Sequence, residues 1–425
     1  MCRATKCEAS RFESSRCRSA VLRTVSAMEQ FLPPENDPRR VAVREWLATN
    51  PDPTARQLAE SGYVAPHWPE PWGLGADPLT QIVIDDEFAR AGVKRPSNQI
   101  GIGWAAPTII HAGTEEQKKR YVLPALAGEE IWCQLFSEPG AGSDLAGVST
   151  RAERDGDEWV VNGQKVWTTG AHYSRFGILI ARTDPDRPKH EGITYFICPM
   201  DAPGIEIRTI TNIAGAQSFN EVFFTDVRIP HANVVGEVND GWRLAKVTLG
   251  NERVSLSTGG ALWGQGPTAS DLIAECRSRG RLDDVMRHRL ARLHCEEKVL
   301  DIIRLRTISA RLRGEQPGPE ASIRKLMADE HGQRVMEAAR DVLGAEAMLT
   351  GERGGVKTLA SRSWYSGYMF SRALTIGGGT TEVQKNILGE KVLGLPVEPD
   401  PTRGSPWAGT RAGAARASHA GEPGS

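Results

Sequence analysis

The stretch Leu135-Phe136-Ser137-Glu138-Pro139-Gly140-Ala141-Gly142-Ser143-Asp144 is the most informative part of this 425-residue sequence. It is a loop of small residues, and such residues leave backbone N–H groups accessible to a ligand. The stretch Val160 to Gly170 follows, and it predicts two short β segments separated by a tight turn. It ends on Trp167 beside two threonine hydroxyls. These two pieces decide how the rest of the chain is interpreted.

The composition is that of an ordinary globular protein. Hydrophobic residues make up 40% and charged residues 25%, and the formal net charge is −1. A balanced charge gives no electrostatic reason to expect binding to nucleic acid or to a membrane surface. No run of about 18 apolar residues occurs, so no membrane span is predicted. The length allows two or three domains.

The cysteine pattern points to reduced thiols rather than to disulfides or a metal site. Seven cysteines are scattered along the chain, without a C-x-x-C pair or a Cys/His cluster of zinc spacing. This usage is typical of an intracellular compartment, and we predict a cytoplasmic location without a bound metal. Cys133 and Cys198 lie in apolar runs and are predicted to be small buried hydrophobic residues.

The two ends differ from the rest of the sequence. Residues 1–34 are rich in arginine and serine, and we predict a disordered extension, with Met28 as a possible effective start. A transit peptide is the alternative, and it would place the protein in the mitochondrial matrix. Residues 396–425 are rich in Gly, Ala, Pro, Ser and Arg without apolar periodicity, so a disordered tail is predicted.

The hydrophobic period changes twice between these ends. Residues 35–130 have helical periodicity, residues 131–237 have the period of two that is typical of strands, and residues 238–395 are helical again. We therefore predict an α+β fold with an N-terminal helical domain, a central antiparallel β-barrel or sandwich domain and a C-terminal four-helix bundle.

The loop and the Trp167 segment together resemble the cofactor-binding face of the FAD-dependent acyl-CoA dehydrogenases. The resemblance covers residues of about 35 to 395. It implies that the flavin is contacted by Gln134, Phe136, Ser137, Trp167 and Thr169, and that Ser143 contacts the acyl-CoA. A flavin that accepts a hydride needs hydrogen-bond donors around its ring, which small residues supply from the backbone. Gly140-Ala141-Gly142 is not a Rossmann fingerprint, because it lacks the βαβ context.

The position of the catalytic base departs from the commoner family pattern. Most members carry a glutamate before Gly-Thr near the C-terminus, and the matching position here is Gly378. A smaller branch carries it in a Leu-x-x-Glu-Arg segment of the first helix after the β domain, and this chain has Leu249-Gly250-Asn251-Glu252-Arg253. The resemblance implies that Glu252 is the base and that Arg253 and the Gly378 backbone contact substrate. On their own, Glu252 and Arg253 also fit an exposed helical charge pair.

The adenine-diphosphate half of the flavin site matches less well. Thr380 and Glu382 match family residues that hold this half. The usual Arg-x-x-Phe-Gly is replaced by Cys276-Arg277-Ser278-Arg279-Gly280, and the usual Gln-x-x-Gly-Gly by Asp341-Val342-Leu343-Gly344-Ala345. Either Arg277 or Arg279 could meet the pyrophosphate, and the sequence leaves that choice open.

The resemblance implies a dehydrogenase that converts an acyl-CoA to the trans-2-enoyl-CoA. Its electrons would pass to an electron-transfer flavoprotein, and the chain would assemble as a homo- or hetero-tetramer, or as a dimer. Two alternatives remain. The chain could be a non-catalytic subunit of a heteromeric dehydrogenase, which Gly378 favours, or an acyl-CoA oxidase-like enzyme that uses oxygen.

Overall fold

The computed structural model describes residues 33–255, 261–262, 266–280, 282–312, 318–319, 321–344 and 364–410. Most of the predicted leader (1–32) and the end of the predicted tail (411–425) lie outside the described residues. The chain divides into two compact units, one that ends at Arg95 and one that begins at Pro96.

The first unit is helical, as its periodicity predicts. It contains α1 (Pro38–Thr49), α2 (Ala55–Glu60) and α3 (Pro78–Ala91). The Asp77 carboxylate caps the start of α3 by accepting from the Thr80 N–H, and Gly92 ends it with a φ of 71°. The Pro/Trp loop at 67–73 is not helical, as expected from its composition.

The second unit begins with two more helices, α4 (Ala106–Ala112) and α5 (Glu115–Leu126). A capping box opens α5: the Thr114 side chain accepts from the Gln117 N–H, and the Gln117 side chain accepts from the Thr114 N–H. Gln117 also donates to the carbonyls of Ala232 and Val234, both at 2.7 Å, and so ties α5 to the end of the β region.

Seven strands then form one sheet. They are β1 (Trp132–Leu135), β2 (Arg151–Asp155), β3 (Glu158–Lys165), β4 (Phe176–Arg182), β5 (Ile193–Pro199), β6 (Ile205–Ile210) and β7 (Phe219–Pro230). Their order is β1-β4-β2-β3-β7-β6, with β5 also paired to β4. The β1–β4 and β2–β4 pairings are parallel and the other pairings antiparallel, so the sheet is mixed rather than wholly antiparallel. The long excursion between β1 and β4 makes a parallel return possible.

The C-terminal part is helical. Its helices are α6 (Gly241–Ser255), α7 (Ala269–Ser278), α8 (Asp284–Leu312), α9 (Ala321–Leu343), α10 (Trp364–Ser371) and α11 (Thr381–Ile387). A π-helical turn, Leu388–Val392, continues α11. The core among these helices is apolar and includes Leu272, Leu290, Val335 and Met336. The short helix α7 was not predicted, and it contains the Cys276-Arg277-Ser278 part of the altered motif.

The first part of the predicted disordered tail is placed against the sheet. The Trp407 side chain is 3% exposed, and the Arg182 guanidinium lies 4.7 Å from the centre of its ring. The Trp407 N–H donates to the Arg187 carbonyl at 2.9 Å. A single buried aromatic ring therefore anchors a segment that otherwise lacks apolar periodicity. The composition of the segment did not predict this anchor.

Burial accounts for the cysteines of the β domain. Cys133 and Cys198 are fully buried, which confirms their predicted role as small hydrophobic residues. Burial raises the pKa of the Cys133 thiol to about 12, so it stays protonated and unreactive. None of the described helices is both long and apolar enough to cross a membrane.

Candidate active site

A buried ion pair stabilises the loop after β1. Lys165 Nζ lies 2.8 Å from Glu138 Oε1, and the two side chains are 0% and 4% exposed. The Glu138 carboxylate also accepts from the Ser149 N–H at 2.7 Å, the Ser149 hydroxyl at 2.9 Å and the Thr150 N–H at 2.9 Å. These contacts satisfy both charges, as buried charges require.

The charge state of Glu138 follows from these partners. Burial alone raises the pKa of this carboxyl, but the charge and hydrogen bond of Lys165 and the donors at 149–150 outweigh it and lower the pKa to about 2. Glu138 is therefore a paired carboxylate at neutral pH. It is unsuited to accept a proton from a substrate.

The same lysine fixes the backbone of the loop. Lys165 Nζ donates to the Phe136 carbonyl at 3.0 Å, and the Val166 N–H donates to the Ser137 carbonyl at 2.9 Å. Our sequence interpretation missed Lys165, although a signal was present. Trp159 and Val161 alternate inward along β3, and continuing that period places Lys165 inward, where a charge needs a partner.

Trp167 has an unusual backbone and an unusual exposure. Its φ is 61° and its side chain is 60% exposed. The indole meets the Phe219 ring edge to face, with 6.1 Å between the ring centres. A bulky residue at positive φ costs roughly 1–3 kcal/mol, and such strain concentrates at functional sites. The conformation presents a large aromatic surface outside the core.

A cavity of about 570 Å³ lies beside Trp167. Its volume is in the range of small-molecule sites. Five residues that the sequence predicts to be functional line it together: Ser137, Ser143, Trp167, Gly378 and Thr380. The loop after β1, the end of β3 and the segment before α11 thus meet at one site, although they are distant in sequence. Glu138 is the single carboxylate in the described lining.

The other predicted site residues lie outside the cavity lining. Phe136 is buried at 3% exposure with its ring against Tyr195, and Thr169 is half-buried near Trp167. Glu382 is exposed in the first turn of α11, which Thr380 caps by accepting from the Val383 N–H at 3.2 Å. The described structure leaves the roles predicted for these residues as predictions.

Glu252 lies on α6 and is 8% exposed. Its Oε2 is 3.4 Å from Gln134 Nε2, so the predicted base and a predicted flavin contact are neighbours. This burial does not fit the alternative of an exposed charge pair. The side chain of Arg253 lies outside what the structure describes, and its predicted role stays a prediction.

Two devices fix α6 against the sheet and so place Glu252. Thr248, one turn before Glu252, exchanges hydrogen bonds with Thr108 at 2.9 Å and with the Tyr195 hydroxyl at 3.0 Å, and all three side chains are fully buried. At the start of the helix, a Cβ on Gly241 would lie 2.6 Å from the Thr194 carbonyl carbon. Only glycine permits this approach of helix to strand.

The segment before α11 is built from glycines in left-handed conformations. Gly378 has a φ of 65° and Gly379 a φ of 90°. The Gln384 side chain donates to the Gly378 carbonyl at 3.2 Å. The Gly378 N–H donates to no backbone or side-chain acceptor within the described ranges. This N–H is therefore available to a ligand at the cavity wall.

Comparison with known proteins gives the family. Models of the N-terminal, middle and C-terminal domains of acyl-CoA dehydrogenases match residues 23–129, 133–227 and 239–393. The chain belongs to the acyl-CoA dehydrogenase family. The resemblance and the fold class that the sequence predicts are thereby confirmed. The domain boundaries stay a prediction.

Three proteins show what this chain is similar to within the family. The acyl-CoA dehydrogenase FadE34 of Mycobacterium tuberculosis is 44% identical over 355 residues, which are 84% of this chain and 48% of FadE34. The chain thus spans about half the length of that relative. A solved structure described as the Tcur3481-Tcur3483 steroid ACAD is 30% identical, with a TM-score of 0.70 and coverage of 84% and 97%. The ChsE4-ChsE5 complex of Mycobacterium tuberculosis is 32% identical, with a TM-score of 0.68 and coverage of 86% and 99%.

Members of this family are FAD-dependent oxidoreductases, and the residues present fit that cofactor. A Cβ added at Gly140 or Gly142 would meet no protein atom within 4 Å, so the protein's own packing leaves this space open beside the loop. The exposed Trp167 and two residues with hydroxyl groups, Ser137 and Thr380, line the cavity. Open space, an aromatic surface and hydroxyl groups are what a flat, polar-edged ring system requires. No group of metal-ligating side chains is present in the described part of the chain.

The two altered motifs do not identify a pyrophosphate contact. Arg279 is engaged with Glu275 one turn earlier, 2.6 Å away. Asp341 is engaged with Arg289 at 2.6 Å and with Arg340 at 2.7 Å. Ala345, the last residue of the second motif, lies outside the described residues. The choice between Arg277 and Arg279 therefore stays open.

Proposed function

We propose that this chain catalyses the α,β-dehydrogenation of an acyl-CoA thioester to the trans-2-enoyl-CoA, with Glu252 as the base. The observation that carries the proposal is the position of Glu252. It is a buried carboxylate 3.4 Å from Gln134, a predicted flavin contact, and the position where most members of the family carry the base is Gly378 in this chain. Glu138 is excluded as a rival, because it is paired with Lys165 and its pKa is held at about 2.

The reaction divides between the chain and its cofactor. FAD, when bound, supplies the acceptor for the hydride that leaves the β-carbon. Glu252 takes the α-proton, and the electron pair of that C–H bond forms the new double bond. The Gly378 N–H donates to the thioester carbonyl and so stabilises the negative charge that develops there. Trp167 and the cavity wall exclude water, which strengthens these interactions.

The test is an anaerobic titration of the purified, FAD-loaded protein with a panel of acyl-CoAs, followed by the visible flavin absorption. We expect the wild type to lose its absorption and Glu252→Gln to retain FAD but lose at least about 10³-fold in the rate of bleaching. Glu206→Gln is the matched control, because Glu206 is an exposed carboxylate paired with Arg208 on β6. It should bleach like the wild type.

Two outcomes would contradict this assignment. Bleaching at the wild-type rate in Glu252→Gln would remove Glu252 from the role of base. A wild-type protein that holds FAD and bleaches with no acyl-CoA would remove the dehydrogenase activity of the isolated chain.

We further propose a bulky acyl group as the substrate class, with steroid-type acyl thioesters as the first candidates. Glycine at position 378 leaves free the volume that a glutamate side chain would fill. The similarity to the structure described as a steroid ACAD supports the same choice. Faster bleaching by straight-chain acyl-CoAs than by a polycyclic acyl-CoA would contradict it.

The second part of the proposal concerns the oligomeric assembly of the chain. Here the alternative of a non-catalytic subunit also has support. A tetramer is usual in the family, and one similar solved structure is described as the ChsE4-ChsE5 complex. The absent carboxylate at Gly378 and the altered motifs favour a non-catalytic subunit, whereas Glu252 favours a competent one. Light scattering and FAD content of the chain produced alone separate these cases, since a dependent subunit would lose FAD without its partner.

The electron acceptor completes the proposal. We propose transfer to an electron-transfer flavoprotein. An oxidase-like enzyme would instead form peroxide in air, so peroxide at the rate of substrate turnover would favour that alternative. The predicted cytoplasmic location stays a prediction, and most residues of the alternative transit peptide (1–32) lie outside the described residues.

A further inference from the structure

One buried lysine lies beneath the glycine segment at the cavity wall. Lys325, on α9, is 2% exposed. Its ammonium donates to three backbone carbonyls: Leu374 at 3.2 Å, Gly377 at 2.9 Å and Gly379 at 2.6 Å. Asp329, one turn further along α9, lies 2.5 Å from the same nitrogen. All three ammonium hydrogens therefore have acceptors on one short segment or on its own helix.

The geometry of the peptide group connects this lysine to the cavity. The Gly377 carbonyl and the Gly378 N–H belong to one planar trans peptide, in which they point in opposite directions. Because the ammonium holds the carbonyl, the N–H must point away from Lys325. Gly377 and Gly378 both line the cavity, and the Gly378 N–H has no acceptor of its own in the described chain.

The segment needs such a hold. Gly378 and Gly379 both have positive φ values. Because glycine can adopt many other backbone conformations, these two residues do not fix the conformation of the segment by themselves. A carbonyl bound by an ammonium also polarises its peptide, which makes the N–H a stronger donor. Gln384 holds the following peptide through the Gly378 carbonyl at 3.2 Å.

We infer that Lys325 is a positioning residue for the reaction, which orients the Gly378 N–H toward the thioester carbonyl and so stabilises the enolate. This inference rests on the proposed function, since it assigns the donor that the proposed chemistry needs. It predicts that Lys325 affects ionisation of the substrate rather than the presence of FAD. A simple ion pair with Asp329 would predict an effect on stability alone.

The experiment separates proton removal from hydride transfer. In a 3-thia-acyl-CoA, sulfur replaces the β-carbon, so the α-proton can be removed but no hydride can follow. The resulting enolate, beside oxidised flavin, gives a long-wavelength absorption band. The pH at which half of the band forms reports how well the enolate is stabilised. Lys325→Met, Lys325→Gln and Asp329→Asn are compared with the wild type, with the exposed Lys298→Met as control.

We expect Lys325→Met to raise this midpoint by at least one pH unit, which is tenfold in the ionisation constant, while FAD content stays at the wild-type level. Anaerobic bleaching by a true substrate should slow by about 10- to 100-fold. Without any ligand, hydrogen exchange of the 374–380 backbone should become faster. Asp329→Asn should lower thermal stability. It should move the midpoint of the band by less than about 0.3 pH unit, which is within experimental error.

Each result decides between the roles. An unchanged midpoint and exchange rate in Lys325→Met would overturn the inference and leave the proposed function intact. If Lys325→Met does not fold, Lys325→Gln carries the same test, because it removes the charge but keeps a donor. A wild type that gives no band with the analogue overturns the proposed function and the inference together.

Discussion

Two buried lysines hold the backbone of the loop after β1 and of the segment before α11. Lys165 binds the carbonyl of Phe136, and Lys325 binds the carbonyl of Gly377. Each is balanced by one carboxylate, Glu138 or Asp329. Because an unpaired buried charge is costly, each pair permits one arrangement of the backbone around it. Rigid backbone donors are what stabilisation of a developing charge requires.

Breaking the Glu138–Lys165 pair should destabilise the fold. Glu138→Gln leaves the Lys165 ammonium buried without a counter-charge, so we expect a loss of about 3–5 kcal/mol in the free energy of unfolding. Urea denaturation measures it. The double variant Glu138→Gln/Lys165→Met removes both charges and should recover part of the loss. A double variant less stable than Glu138→Gln would contradict this account.

The same pair should give a defined pH dependence. The pKa of Glu138 is lowered from 4.5 to about 2 in the folded protein, so its contribution is complete above pH 4.5 and is lost as the pH falls toward about 2. The shift corresponds to about 3 kcal/mol. The stability difference between wild type and Glu138→Gln, measured by denaturation from pH 7 to pH 2, should therefore shrink below pH 4.5. A constant difference would show that the carboxylate charge is not the cause.

At the scale of elements, α6 carries the proposed base and depends on its approach to β5. A methyl group at Gly241 would lie 2.6 Å from the backbone of Thr194. We expect Gly241→Ala to cost about 1–3 kcal/mol and to slow flavin bleaching, because the helix must move and Glu252 moves with it. Thermal unfolding and anaerobic bleaching measure the two effects.

Gly250 provides the matched control on the same helix. A Cβ there would meet no protein atom within 4 Å. Gly250→Ala should therefore raise stability by about 0.5–1 kcal/mol, since alanine is the better helix former. Equal destabilisation by both substitutions would contradict the proposed close approach at Gly241.

Sequence patterns predicted the elements better than their pairing. The helical character of residues 35–130 and 238–395 and the strands of residues 131–237 were predicted from the hydrophobic period, because this is a local property. The parallel return of β4 beside β1 was not, since strand pairing depends on contacts between distant segments. At the site, the loop and Trp167 were found from motifs. Lys325 was missed, because nothing local to α9 shows that it binds the carbonyls of 374–379.

At the scale of the whole molecule, the tail contributes to the β domain. Trp407 is the buried anchor of residues 397–410, and its ring covers the Arg182 guanidinium. We expect Trp407→Ala to lower the free energy of unfolding by about 2–4 kcal/mol, through lost burial and lost cation–π contact. Thermal and urea denaturation measure it, with Val397→Ala, on an exposed position of the same segment, as control. Equal effects of the two substitutions would contradict the role of Trp407 as anchor.

The anchored tail has a consequence for the evolution of related genes. The C-terminal family model ends at residue 393, before Trp407, whereas Arg182, at the end of β4, lies within the residues that the middle-domain model matches. Without an aromatic ring at position 407, the Arg182 guanidinium would lose this cation–π contact and the cover of the ring. Among relatives, residue 182 and the aromatic residue of the tail should therefore be gained and lost together. We therefore expect substitutions around Arg182 to correlate, among related genes, with the length of the coding sequence at its 3′ end.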